Sequence, residues 1–164
     1  MVGPFHPLSG MVERLRSTDA GFFALTDCTI HKYHAQSYFF GWSGRNLASA
    51  ALRSFWASVE NFPDKDLIIQ TYEIPLFALC DALPDPSHQI LFGMHDVFGR
   101  SAGMLPPFSP AHHAWLALLK NGNPFVKTAV LRDSAAAIDS LADATGADRA
   151  MLRRHVEQSN LNRM

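Results

Sequence analysis

GFFALTDCTIHKYHAQSYFFGWSGRNLASAALRSFWASV, residues 21–59, is the stretch whose reading decides the fold. It opens with Gly21 to Thr26, a nearly unbroken apolar run of strand length, too short for a stable helix. His34 to Trp42 is rich in aromatic side chains, which suit a pleated, half-buried surface. Strand alternation puts Ala35, Ser37 and Phe39 on one face and Gln36, Tyr38 and Phe40 on the other, so the polar ends of Gln36 and Tyr38 share a side. Beyond Gly44 the period changes. Leu47, Ala51, Leu52, Phe55, Trp56 and Val59 recur at helical spacing, and Asn61 with Pro63 supplies the stop.

Working outward, Leu8, Met11, Val12 and Leu15 fall on one helical face and predict a short amphipathic helix after an initial loop. Leu67 to Gln70 (LIIQ) reads as a short strand. Tyr72, Leu76, Leu79, Cys80 and Leu83 follow at helical spacing, with Pro75 acceptable only in the first turn. Residues 85–110 mix Pro, Gly, His and aromatics without period, a loop-rich stretch with one strand at Gln89 to Phe92. Helices are expected over Pro110 to Lys120, ended by Asn121-Gly122, and over Ser134 to Ala144 and Asp148 to Ser159, parted by Gly146. Early strands followed by helices alternating with short strands predict an α/β fold: a mixed sheet, flanking helices and a helical C-terminus, all within one domain over residues 1–164.

With 164 residues and 48% hydrophobic content the chain can bury a substantial core. Lys and Arg total 14 against 15 Asp and Glu, so there is no basic excess to neutralise a nucleic-acid backbone, and no nucleic-acid partner is expected. The two cysteines, Cys28 and Cys80, lie in apolar stretches without disulfide or zinc spacing. No apolar run is long enough to span a bilayer, and the opening residues lack the pattern of a signal peptide. The expected location is the cytoplasm.

Neither a GxxxxGK[ST] loop nor a GxGxxG turn occurs, and the GxSxG elbow of serine hydrolases is missing, leaving Ser101 and Ser109 without a nucleophile's context. Eight histidines invite a metal reading, but His112 and His113 are adjacent and diverge, and no ligand set is assignable. His95 beside Asp96, inside GMHDVFG, is a better polar site because its flanking glycines admit a ligand to the backbone; the alternative is a loop histidine bonding its neighbour. Glu73 is a carboxylate among Ile68, Ile69, Tyr72, Ile74 and Leu76 at an expected helix start. The helix dipole favours its anion there, whereas burial would raise its pKa toward that of a general base; plain capping is the competing role. Asp27 follows the GFFALT strand, where α/β proteins often place site residues, or it closes an Asx turn.

Taken in order, Thr26-Asp27, His34, Gln36-Ser37-Tyr38-Phe39, Phe55-Trp56, Tyr72-Glu73, Asn123-Pro124-Phe125-Val126-Lys127 and Leu131-Arg132 form a pattern that resembles the rhamnan-synthesis protein F family. Gly3-Pro4 and the helix to Leu15 resemble that family's preceding segment. The resemblance implies a GT-A-type glycosyltransferase that moves a sugar, typically rhamnose, from a nucleotide donor such as dTDP-rhamnose onto a cell-surface polysaccharide of rhamnan, lipopolysaccharide O-antigen or cell-wall type. It also implies a preceding nucleotide-binding half whose acidic motif holds Mg or Mn and the donor diphosphate. Met1 stands where that motif should finish, so the chain is expected to be the C-terminal part, with no metal ligand assignable in it. A partner chain or a homo-oligomer would then complete the site, at the inner face of the plasma membrane.

In such a site Glu73 is the first choice for the base and Asp27 the second. His34, Gln36, Ser37 and Tyr38 suit sugar hydroxyls, with His95 as a further polar contact. Tyr38, Phe39 or Trp42 could stack on a sugar face. Lys127 and Arg132 either meet phosphate or remain solvated. The competing expectation is a non-catalytic acceptor-binding or assembly module that docks to a partner chain.

Overall fold

The computed structural model describes residues 1–104 and 106–161; position 105, in the stretch read as loop, lies outside them. Its strands are short: β1 (Phe22–Ala24), β2 (Asp27–Cys28), β3 (His34–Ala35), β4 (Phe40–Trp42) and β5 (His88–Ile90). β1 is central in a three-stranded sheet, antiparallel to β4 with Phe22 opposite Trp42 and parallel to β5 with Phe22 opposite His88. β2 and β3 form a separate antiparallel pair. Helices flank this mixed sheet, and the architecture is mixed α/β.

The residues expected as one strand over His34 to Trp42 divide into two. β3 pairs with β2 and β4 with β1, and a turn at Ser37 and Tyr38 carries the chain from one ladder to the other. Asn46 is wholly buried and ties the sheet edge to the later chain, donating to the Gly21 and Asp85 carbonyls at 3.0 and 2.8 Å and accepting from the Asp85 N–H. Gly21 is required there, because a Cβ would run into the Asp85 carbonyl and the Asn46 amide.

α1 (Leu8–Ser17) forms as expected. The helix expected beyond Gly44 is instead two, α2 (Gly44–Leu47) and α3 (Ala50–Ala57), because two serines act as caps. Ser43 accepts from the Asn46 N–H, and Ser49, in extended conformation, accepts from the Leu52 N–H. LIIQ is not a strand. Asp64 accepts from the Asp66 N–H at 2.8 Å and starts a continuous helical run: α4 (Lys65–Ile68), a π-helical turn (Ile69–Glu73), α5 (Ile74–Leu79) and a 3₁₀ turn (Cys80–Ala82). Tertiary context overrides the strand preference of the paired isoleucines. Pro75 lies in the first turn of α5, but Glu73 is mid-run, so it neither caps a helix nor draws on a free N-terminus.

The stretch over 85–110 is more ordered than expected. After β5 come α6 (Met94–Phe98), a 3₁₀ segment (Gly99–Met104) and the start of α7 (Pro110–His113). α7 is separated from α8 (Trp115–Lys120) by a break at Ala114, so the predicted helix over Pro110 to Lys120 is also interrupted. α9 (Thr128–Asp133) has no counterpart in the sequence reading, whereas α10 (Ala135–Thr145) and α11 (Arg149–Leu161) do, joined through Gly146 at φ 73°. Val126, Val130, Leu131, Ile138, Leu141 and Leu152 form the core of this C-terminal layer. Val2 joins it through a two-way backbone bridge to Val126. That bridge holds the backbone next to Lys127.

Candidate functional site

Where the β2–β3 pair and the π-helical turn face α7 and α9, a cleft of about 400 Å³ opens, continuous with a lobe of about 150 Å³; Gln36, Lys65, Glu73, His112 and Lys127 line both. Ser37, Tyr38 and Arg132 border the larger part, Cys28 and His34 the smaller.

Among the described residues, Glu73 is the only carboxylate lining the larger part. One of its oxygens accepts from the Ser37 hydroxyl, and the other lies 3.5 Å from His34 Nε2. His34 is buried, with Nδ1 2.7 Å from the Lys32 carbonyl; a carbonyl only accepts, so Nδ1 carries a proton and Nε2 faces the carboxylate. Burial by itself would raise the Glu73 carboxyl. Hydrogen bonds from His34 and Ser37, with the charges of His34 and Lys127, outweigh it and hold the group below its usual value. The raised pKa expected from sequence is thereby reversed. Nor is this a serine-hydrolase triad: Ser37 donates to the carboxylate, with no imidazole positioned between them.

Behind this pair, the Thr26 hydroxyl sits 2.8 Å from both Gln36 Oε1 and the Tyr38 hydroxyl, and Gln36 donates to Ser109 Oγ at 3.2 Å. Gln36 and Tyr38 therefore do share a side, although a turn rather than strand alternation puts them there. The ring of Tyr38 lies under the Lys127 ammonium, 5.0 Å from its centroid. Burial and then repulsion from Lys65 lower the Lys127 amine to about 8, against the pull of Glu73 and Cys28. Burial, Lys127 and Lys65 together push His112 down to about 4, so it is neutral at physiological pH.

Three expected site residues lie elsewhere. Asp27 is buried and accepts from the Met94 N–H at 2.9 Å, which anchors α6 to the start of β2; burial raises its pKa despite that bond and one from Tyr33. Trp42 is half-buried and packs 4.5 Å from Phe22, centroid to centroid, against an aromatic cluster away from the cleft. His95 is exposed on α6, and Asp96 turns back to its own helix start, accepting from the Gly93 N–H at 2.7 Å. Glu73, His34, Gln36, Ser37 and Tyr38 do come together.

The chain is similar to Virulence protein VirA of Vibrio anguillarum (strain ATCC 68554 / 775), with 27% identity over 135 residues covering 69% of this chain and 44% of that protein. A second Vibrio anguillarum protein of the same name matches to the same extent. The chain thus spans less than half the length of these relatives. No family model matches it. No solved structure matches it either.

Sequence reasoning missed Lys65 and His112, both of which line the cleft. Lys65 belongs to the segment misread as leading into a strand, and His112 was weighed only as half of an adjacent pair. Its ring centroid is 6.5 Å from that of His113, whose Nδ1 instead accepts from the Ser109 N–H. The donor set does not fit the Mg or Mn that the family resemblance implies. Such ions take several oxygen ligands, and the described residues of this cleft offer two carboxylates, Glu73, already bonded to Ser37 and facing His34, and the exposed Asp66 of the smaller lobe, among Lys65, Lys127 and Arg132. Among the described residues, no three His, Cys, Asp or Glu converge.

Proposed function

We propose that this chain carries the acceptor side of a glycosyl-transfer site, in a GT-A-like glycosyltransferase-related protein that builds a rhamnan or O-antigen-type surface polysaccharide. The observation that carries the reading is the Glu73 carboxylate facing the cleft between Ser37 and His34, with Gln36 and Tyr38 beside it. Close-set donors and acceptors of this kind suit a polyhydroxylated ligand, and an ionised carboxylate can take a hydroxyl proton. The ordered resemblance supports the choice of substrate, and the similarity to VirA supplies a setting in virulence, without adding chemistry. Among the described residues no helix is long and apolar enough to cross a membrane.

In a direct displacement the acceptor hydroxyl takes the place of Ser37 on Glu73 and gives up its proton to the carboxylate. Its oxygen bonds to the anomeric carbon, and the bond from that carbon to phosphate breaks, its electron pair leaving with the nucleoside diphosphate. His34 is a positioning residue that keeps Glu73 ionised. A second reading is acceptor binding without transfer, favoured by Glu73 having one oxygen bonded to Ser37 and the other facing His34.

The test is transfer of rhamnose from dTDP-rhamnose to a rhamnan oligosaccharide, by this chain and by any longer form its gene encodes, with glycan binding followed by calorimetry. Glu73→Gln should leave glycan affinity within a few-fold and cut transfer by about a hundredfold or more, the usual span for a general base. Glycan binding without transfer in every form would favour the second reading. Undiminished transfer by Glu73→Gln would remove Glu73 as base, and absence of both binding and transfer would end the glycan assignment.

A further inference from the structure

Among the described residues, three cationic side chains line the larger part of the cleft, Lys65 from α4, Lys127 from the segment entering α9 and Arg132 from α9 itself, against one carboxylate. The local balance is three positive charges less one negative, or two positive, in a chain whose formal net charge is −1. Among the described residues, the smaller lobe adds one further carboxylate beside Lys65, the exposed Asp66, which lies 3.8 Å from His31. The carboxylate near Arg132 is its exposed neighbour Asp133, at 3.8 Å, and Lys127 is opposed mainly by Glu73, which Ser37 and His34 already engage. Lys127 is largely withdrawn from water, where the attraction between it and an anion is screened far less than at an open surface.

We infer that Lys65, Lys127 and Arg132 form a binding subsite for a phosphate or diphosphate ester, one that neutralises the anion with fixed cations and needs no divalent metal. This deepens the glycosyl-transfer reading, on which its role as a donor-diphosphate site rests, and adds fixed cations to the Mg or Mn that the resemblance places in a preceding half. The forked guanidinium of Arg132 suits two phosphate oxygens, and the two ammonium groups act as point charges on the others. Neutral His112 lies at the same wall and contributes a hydrogen bond without competing for the negative charge. Glu73 stands beside the cations, so a bound phosphate ester presents its attached carbon toward the carboxylate rather than a second oxyanion, which Glu73 would repel.

The probe is inorganic pyrophosphate, titrated calorimetrically into the whole chain in EDTA and again with excess Mg²⁺, at low and at moderate salt. Saturable binding in EDTA is expected, weakening as salt rises. Lys127→Met and Arg132→Gln should each lower affinity about tenfold or more, with unchanged circular dichroism and melting profiles showing that the fold survives. Lys65→Gln, at an exposed position, should lower it by less and guards against a folding artefact at the two partly buried sites. Binding that requires Mg²⁺, or that is equal in all three variants, overturns the inference. Pyrophosphate binding with no glycan binding would defeat the glycosyl-transfer reading while leaving the subsite intact, and the reverse result would do the opposite.

Discussion

At the scale of single residues the sharpest lesson concerns Glu73 and Asp27, the carboxylates that the sequence ranks first and second for the base. Asp27 serves the fold: it supplies the acceptor for the Met94 N–H at the start of α6. Asp27→Ala should therefore destabilise the protein by about 1–3 kcal/mol, the cost of an unsatisfied buried donor, while Asp27→Asn, which keeps an acceptor oxygen, should cost much less. Urea denaturation separates the two; equal losses would mean that the charge rather than the hydrogen bond matters. Glu73 and Lys127 belong to the cleft, and Lys127 sets a pH dependence. Facing it are Lys65 on α4, Glu73 on the π-helical turn, Cys28 on β2, Tyr38 on the intervening turn and His112 on α7. Glu73 is ionised, burial keeps the Cys28 thiol and the Tyr38 hydroxyl protonated, and His112 is neutral. The Lys127 amine is charged below about 8 and loses its proton above, so pyrophosphate affinity should fall from pH 7 to 9. The ligand's own ionisation runs the other way, adding negative charge. Lys127→Arg should flatten the fall, because a guanidinium stays protonated; an identical profile in that variant would exclude Lys127 as its source.

At the scale of elements, the sequence revealed helices with uninterrupted period and hid those made by side-chain caps. α1, α10 and α11 could be read because their apolar residues recur at helical spacing and Gly146 marks a boundary. The LIIQ segment was misread because β-branched residues favour strands unless something nearby nucleates a helix, and here Asp64 does so. The π-helical turn that follows leaves no periodic mark in the sequence, and it shapes the site. Lys65 and Glu73 are eight positions apart and both line the cleft. In a continuous α-helix eight residues turn through about 800°, which leaves the two side chains about 80° apart; a π-turn absorbs one residue, so they behave nearly as if two full turns apart. Pro75 adds a reason for the turn, since in an α-helix its ring would press on the Thr71 carbonyl. Deleting the exposed Gln70 should restore α-helical winding, keep the helical content and leave Lys65 and Glu73 seven positions apart, about 700° and so still on one face. Pyrophosphate affinity should then stay within a few-fold of the unaltered chain. A fall as large as that of Lys65→Gln would show that the π-turn does more than set the register.

At the scale of the whole molecule the cleft has two walls with different origins. Glu73, His34, Gln36 and Ser37 come from the segments around the sheet, whereas Lys127 and Arg132 are carried by the C-terminal helical layer and its core of Val126, Val130, Leu131, Ile138, Leu141 and Leu152. The apolar periodicity made most of that layer legible, but which of its charged residues would meet Glu73 depends on how α9 sits against it, and α9 itself was not foreseen. An anion held between the walls adds a tie that the unfolded chain lacks, so pyrophosphate at a hundred times its dissociation constant should stabilise the fold by about 2.7 kcal/mol. The coupling can be tested from the far side. Leu141 is completely buried on α10, away from the cleft, and Leu141→Ala should cost about 2–5 kcal/mol by leaving a cavity under the layer. If that layer positions the cations, Leu141→Ala should also weaken pyrophosphate binding, although it removes no charge. Excess pyrophosphate should then recover part of the lost melting temperature, and Lys127→Met added to Leu141→Ala should abolish that recovery. Unchanged affinity in Leu141→Ala would mean instead that Lys127 and Arg132 are held by their local contacts, above all the Val2–Val126 bridge.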